Sequence, residues 1–172
     1  MKKKVILIGL AVVVAVSLAS VFLVSSDGAK GAAMIGLCSD ITKDHMKSPG
    51  SYKLSYAIST IKTLSPTEKE NRIKALNSEP LANLLTKGSF EMKSGEVFLD
   101  FEARNSFGVA LKGLVKCDFT SFSDTWSSLD AVSIDGRQVS NTDIIIASTG
   151  AKIDSGFSSK IKYLVYKVTG KI

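Results

Sequence analysis

The sequence predicts an α+β fold, in which an N-terminal transmembrane helix is followed by a single domain with an antiparallel sheet and helices packed on one face. Three observations support this prediction. Residues 5–24 carry no charge, residues 96–119 contain two runs that alternate between apolar and polar side chains, and a complete helix-start signal begins at Ser65. These patterns are typical of a membrane span, a β-hairpin and a capped α-helix, respectively.

The apolar residues 5–24 are long enough to form a transmembrane anchor. As a helix that rises about 1.5 Å per residue, they match the roughly 30 Å hydrocarbon core of a bilayer. Three lysines precede them and Asp27 is the first charge after them, so we expect the N-terminus to stay cytoplasmic. This predicts a single-pass protein of the inner membrane whose domain faces the periplasm or the cell exterior. A cleaved signal peptide is the alternative, because Ser17 and Ala19 have the spacing that a signal peptidase reads.

The predicted domain organisation has three parts: an anchor in residues 1–24, a flexible tether in residues 25–36 and an extracytoplasmic α+β domain in residues 37–172. The tether is predicted from its small residues, SSDGAKGAAMIG. The formal net charge is +6, but three of the 22 basic residues precede the anchor, which leaves 19 basic against 16 acidic residues. Because the domain also has no run of lysine and arginine, we do not expect nucleic acid as a partner.

Cys38 and Cys117 are the only two cysteines in the chain. In an oxidising compartment they most simply form a disulfide, and two separate buried thiols are the alternative. Together with the single histidine, His45, they offer three nitrogen or sulfur ligands at unrelated spacing, which is short of a structural zinc site. The sequence therefore predicts a Cys38–Cys117 disulfide, no metal and no other cofactor.

Candidates for catalysis are few. A mechanism that needs a histidine has to use His45, yet no nucleophile-elbow motif accompanies it. Ser59 and Lys62 match a serine–lysine spacing but lie in a predicted strand without the companion motifs of such enzymes. Asp100 and Glu102 share one face of a predicted strand and could serve as an acid–base pair. We assign no catalytic residue, and an exported hydrolase that uses His45 or this acid pair is the alternative function.

Other local patterns predict a series of helices and strands. The expected helices are residues 37–48, 66–77 and 80–87, and the first expected strand is residues 52–59. Ser65 and Glu68 form a capping box at the start of the second helix. In the first strand, the alternation predicts Tyr56 and Ile58 on the buried face. Residues 144–147 and 161–168 fit either two strands or a helix and a strand.

The strongest pattern in the domain predicts a β-hairpin with a defined register. A two-residue loop would pair inward-facing with outward-facing residues, whereas a three-residue loop at Ser106, Phe107 and Gly108 pairs apolar residues with one another. The predicted pairs are Ala103 with Leu111, Leu99 with Val115, Val97 with Cys117 and, on the outer face, Glu102 with Lys112. Gly108 then takes the left-handed position of a type I turn plus bulge. A second hairpin is predicted at Asp135 and Gly136, which suit a type I′ turn.

Two of these segments resemble a known domain. HMKSPGSYKLSY is similar to a lysine-serine-proline opening that precedes a strand, and FEARNSFGVALKGLVKCDF is similar to an A-x-N-S-F-G hairpin. Both features resemble a small uncharacterised domain that recurs in bacterial and phage-associated proteins, often behind a membrane segment or a zinc ribbon. The resemblance covers residues 38–119, with an apparent insertion at residues 65–88. It implies a fold but no activity.

The anchor and the missing catalytic motifs lead us to the hypothesis of a membrane-anchored, extracytoplasmic protein-interaction module. Its expected partners are the membrane, through residues 5–24, and an envelope or membrane protein. The candidate interaction surface comprises Asn105, Ser106, Phe107 and Trp126, which lie in predicted exposed loops. A prophage-type exclusion or immunity factor fits this description.

Overall fold

A five-stranded antiparallel sheet lies at the centre of the fold. In the computed structural model, which describes residues 20–75, 79–87, 91–122 and 127–172, the strands pair in the order β1-β2-β3-β4-β5. The strands are β1 (Lys53–Thr63), β2 (Lys93–Arg104), β3 (Ala110–Ser121), β4 (Ser127–Ile134) and β5 (Arg137–Gln138). The helices are α1 (Ser26–Asp44), α2 (Pro66–Ala75), α3 (Glu79–Lys87), α4 (Asn141–Ser148) and α5 (Phe157–Val168), with a short 3₁₀ helix at Pro49–Ser51. The predicted α+β class with an antiparallel sheet is confirmed.

The predicted transmembrane helix is contradicted, and with it the signal anchor and the single-pass localisation in the inner membrane. Within the described residues, no helix is long and apolar enough to cross a bilayer. Residues 5–19 of the predicted anchor lie outside the described part of the chain. Its last residues do not form one continuous span, because the helix ends at Phe22 and the side chains of Val21 and Val24 are buried in the protein. An apolar run has the same appearance in a protein core as in a bilayer, so the burial of Val21 and Val24 was not distinguishable in the sequence from a membrane span.

Residues 25–36, predicted as a flexible tether, form the N-terminal part of α1 instead. The Ser25 hydroxyl caps this helix by accepting a hydrogen bond from the Gly28 N–H at 3.1 Å. Residues 29–38 are all buried. A helix that is buried on every side shows no amphipathic pattern, and its small residues resemble the composition of a linker. The folded domain therefore begins before residue 37, which is its predicted first residue.

The disulfide ties α1 to the inner face of the sheet. Cys38 in α1 bonds to Cys117 in β3 with a Cα–Cα distance of 6.1 Å, so the predicted pairing is confirmed. The main core around it joins α1, α4 and α5 to the sheet, and its most deeply buried apolar members are Met34, Ile35, Ile41, Val97, Leu99, Phe119 and Val132. A smaller cluster of Leu85, Met92 and Phe122 connects α2 and α3 to one end of the sheet. The prediction that all helices pack on one face thus holds for α1, α4 and α5 only.

Strand β1 contains an irregularity that reverses the predicted direction of its side chains. Leu54 lies opposite Phe101, but the register then shifts, so that Ala57 rather than Tyr56 packs into the core. Tyr56 and Ile58 are 45% and 49% exposed. A β-bulge inserts one residue and thereby exchanges the two faces of a strand. The prediction that Tyr56 and Ile58 are buried is therefore wrong.

The predicted register of the β2–β3 hairpin is confirmed. The observed pairs are Ala103 with Leu111, Leu99 with Val115, Val97 with Cys117 and Glu102 with Lys112. Gly108 has a φ angle of +79°, as its left-handed turn position requires. In the β4–β5 hairpin, Asp135 and Gly136 have φ angles of +49° and +79°, so the predicted type I′ turn is also present.

The capping box at the start of α2 is confirmed as well. The Ser65 N–H donates to Glu68 Oε2 at 2.9 Å, and the Glu68 N–H donates to Ser65 Oγ at 3.4 Å. The hydrogen bond from the Ser65 hydroxyl, followed by that from its backbone, lowers the pKa of Glu68. In the C-terminal third, residues 144–147 and 161–168 both belong to helices. The strand alternatives for these two segments are therefore wrong.

Candidate functional site

The hairpin residues of the predicted interaction surface border a cleft at one end of the sheet. Its walls come from the residues that directly follow α1, from the β2–β3 hairpin and from the β4–β5 turn, and we call it the hairpin cleft. Its volume is about 450 Å³, within the range of pockets that take small ligands or side chains. Asn105, Ser106, Phe107 and His45 all lie in its lining. The fourth predicted surface residue, Trp126, lies outside the described residues.

The hairpin tip is held in shape by Asn105. The Asn105 Oδ1 accepts hydrogen bonds from the N–H groups of Phe107 at 2.9 Å and Val109 at 3.0 Å. The Asn105 carbonyl also accepts from the Gly108 N–H at 3.0 Å. Asparagine commonly stabilises turns through such bonds to its own backbone neighbours. Asn105 therefore has a structural role, and the residue that the tip presents to solvent is Phe107, which is 89% exposed.

The floor of the hairpin cleft is apolar. The Phe101 ring, which is 4% exposed, stacks against Tyr52 with a centroid distance of 5.5 Å. Ala103 continues this floor toward the hairpin tip, and Leu111 lies opposite Ala103 with half of its side chain exposed. Phe107 and Leu111 therefore extend the apolar surface from the core out to the rim of the cleft.

Basic side chains surround this apolar floor. Lys47, Arg104, Lys112 and Arg137 all line the hairpin cleft. The sequence does not directly indicate that Arg104 and Arg137 line one cleft, because they lie 33 positions apart. A usable signal was present: both flank predicted hairpin turns, and alternate turns of an antiparallel meander lie at the same end of the sheet.

His45, which lines this cleft, bonds to no hydroxyl or thiol group among the described residues. Its Nδ1 is 2.9 Å from the Ile41 carbonyl oxygen, and its Nε2 is 3.6 Å from Asp143 Oδ2. The nearby Ser140 hydroxyl donates to Asp143 at 2.7 Å and also caps α4. The carboxylate thus lies between the serine and the histidine, whereas nucleophilic catalysis requires the hydroxyl to bond to the base. This geometry does not support a hydrolase that uses His45.

The acid pair Asp100 and Glu102 lies on the opposite, outer face of β2. Asp100 is opposite Leu114, and Glu102 Oε1 is 3.9 Å from Lys112 Nζ. The two carboxyl groups therefore lie on an open sheet face rather than inside the hairpin cleft. The structure does not bring them together with His45.

A second cleft, of about 380 Å³, separates α2 from the outer face of the sheet. Each charged side chain in its lining already has a polar partner, which for Glu68 is Ser65. Arg72 binds Asp130 at 3.1 Å, and Lys116 Nζ lies 2.9 Å from Asp118 and 3.3 Å from Glu96. The hydrogen bond to Asp118 raises the pKa of Lys116. Among the described residues, no group of three or more histidine, cysteine or acidic side chains is arranged to hold a metal ion.

No family model matches the chain, and neither the curated proteins nor the solved structures show a significant match to it. The resemblance of residues 38–119 to the small uncharacterised domain therefore stays a prediction.

Proposed function

We propose that this chain is a protein-interaction module that binds its partner through the hairpin cleft. The observation that carries the proposal is Phe107, an aromatic side chain that is 89% exposed at the tip of an ordered turn. Phenylalanine is enriched in protein–protein interfaces relative to the rest of the protein surface. Because the Asn105 hydrogen bonds already hold the tip, little conformational freedom is lost when a partner covers it.

The disulfide near the cleft also supports a binding role, because it fixes neighbouring elements before a partner binds. The Cys38–Cys117 disulfide joins α1 to β3. Strand β3 contributes Leu111 and Lys112 to the cleft, and the lining residues 45–47 directly follow α1. Binding surfaces whose supporting elements are fixed in advance avoid the ordering cost that flexible surfaces incur. The arrangement at His45, where a carboxylate separates serine from histidine, favours binding over hydrolysis. The exclusion or immunity role considered from the sequence stays a prediction.

Selection from a random peptide library displayed on phage tests this proposal. We expect the wild-type protein to enrich peptides that bind the Phe107→Ser variant at least about tenfold more weakly, because burying a phenylalanine contributes about 1.5–3 kcal/mol. The matched control is Val168→Ser, since Val168 is 85% exposed at the end of α5. It should leave the affinity unchanged, and both variants should unfold at the wild-type temperature. The absence of any enriched peptide, or equal binding to Phe107→Ser, would contradict the proposed function.

A further inference from the structure

The hairpin cleft carries positive charge that its own residues do not balance. Lys47, Arg104, Lys112 and Arg137 line it, and among its described lining residues Asp135 is the sole acidic side chain. Asp135 Oδ1 already accepts a backbone hydrogen bond from β3 at 2.8 Å, which holds the β4–β5 turn in place. Lys112 also lies 3.9 Å from Glu102 on the outer face of the sheet. The cleft therefore presents mainly Lys47, Arg104 and Arg137 to a ligand that enters it.

The two arginines are the most informative members of this group. In the part of the chain that the structure describes, Arg104 and Arg137 form no ion pair, whereas the third arginine, Arg72, binds Asp130 at 3.1 Å. A guanidinium group matches the two oxygens of a carboxylate and forms parallel hydrogen bonds to them. A ligand with carboxylates would thus satisfy both side chains.

The apolar floor narrows the class of ligand further. Phe101 and Ala103 form the base between the cations, and Phe107 and Leu111 border it. A polypeptide can place an apolar side chain on such a floor while acidic side chains on either side reach the rim. Nucleic-acid binding depends on many phosphate contacts, and four cations around an apolar floor of about 450 Å³ offer few. A flat lipid surface does not reach such a floor.

We propose that the hairpin cleft binds an acidic polypeptide segment, with carboxylates paired to Arg104 and Arg137 and one apolar side chain against Leu111 and Phe107. This inference rests on the proposed function and names the chemistry of the partner.

Fluorescence anisotropy with a pair of labelled synthetic peptides tests the inference. One peptide has aspartate and glutamate on both sides of a single leucine, and the other has asparagine and glutamine at the same positions. The full-length protein should bind the acidic peptide and not the neutral one. Arg104→Gln and Arg137→Gln should each weaken binding about fivefold, the size expected for an exposed ion pair. Lys152→Gln, which removes the same charge from an exposed residue outside the cleft lining, should have no effect.

Several outcomes separate this inference from the proposed function. If library-selected peptides require Phe107 but neither arginine, and the neutral peptide binds as well as the acidic one, then the acidic-partner inference fails and the interaction module survives. If neither the library nor the acidic peptide yields a Phe107-dependent binder, both fail. Tighter, arginine-dependent binding of a single-stranded oligonucleotide, of pyrophosphate or of vesicles with anionic lipids would overturn the inference in favour of that ligand.

Discussion

Removal of the disulfide is expected to destabilise the domain by about 4–5 kcal/mol. The bond connects α1 to β3 across a sequence separation of 79 residues, and for a loop of this length the chain-entropy model gives about 4.5 kcal/mol at 25 °C. Cys38 and Cys117 are both fully buried, so exchanging them for alanine also leaves a small cavity. Because a domain has only about 5–15 kcal/mol of stability in total, this loss should lower the unfolding temperature by roughly 10–18 °C.

Thermal and urea denaturation followed by circular dichroism measures this effect. Three samples are compared: the oxidised wild type, the wild type with a reducing agent, and the Cys38→Ala/Cys117→Ala variant. The reduced wild type keeps both sulfur atoms and isolates the effect of the bond, while the variant adds the cavity. The reducing agent should not change the variant further. A reduced wild type that unfolds within about 3 °C of the oxidised protein would refute the loop-entropy reasoning.

Two predictions concern other parts of the core. Gly113→Ala should destabilise the domain by about 1–3 kcal/mol, because an added Cβ would lie 2.4 Å from the Phe101 Cζ. The control in the same urea titration is Gly50→Ala, whose added Cβ would meet no atom within 4 Å. Equal stability of the two variants would contradict the packing described for Phe101. Burial, which outweighs the hydrogen bond from Ser39, raises the pKa of Tyr52. A raised folded pKa contributes stability that is present below the unfolded pKa of about 10 and is lost as the pH rises toward the folded pKa. The free energy of unfolding should therefore fall above about pH 10, and Tyr52→Phe should reduce that fall; an identical pH dependence in the variant would show that Tyr52 does not contribute.

The β2–β3 hairpin could be predicted in detail because its determinants are local. The alternation of side chains defines the inner face, and a single loop length brings apolar residues opposite one another. Gly108 supplies the left-handed conformation, and Asn105 supplies acceptors for the N–H groups of its neighbours. All of these residues lie within one short segment. The pattern therefore contained the information that determines the register.

The face of β1 could not be predicted, because distant residues stabilise its bulge. The Ala57 N–H donates to the Lys171 carbonyl at 2.6 Å, and the Lys171 ammonium donates to the Leu54 carbonyl. These partners come from the opposite end of the chain, so no local pattern reveals them. The burial of α1 could not be predicted either, because it also depends on distant parts of the chain. Its burial depends on the sheet on one side and on α5 on another, while its small residues alone indicate a linker.

The positions of the basic residues around the hairpin cleft depend both on local turn signals and on the order of the strands in the sheet. Arg104 ends β2 and Arg137 begins β5, directly after the turn that follows β4. Because β2 and β4 both run antiparallel to β3, their C-terminal ends lie at the same end of the sheet. The local hairpin signals place each arginine beside a turn, but only the strand order brings the two turns together around one apolar floor. The relative backbone positions of Arg104 and Arg137 therefore depend on the register of β3 against its neighbours, and β3 is the strand that the disulfide attaches to α1. The disulfide and the basic lining of the cleft are therefore connected through β3, so the arrangement of the cleft depends on the same strand as the stability of the domain.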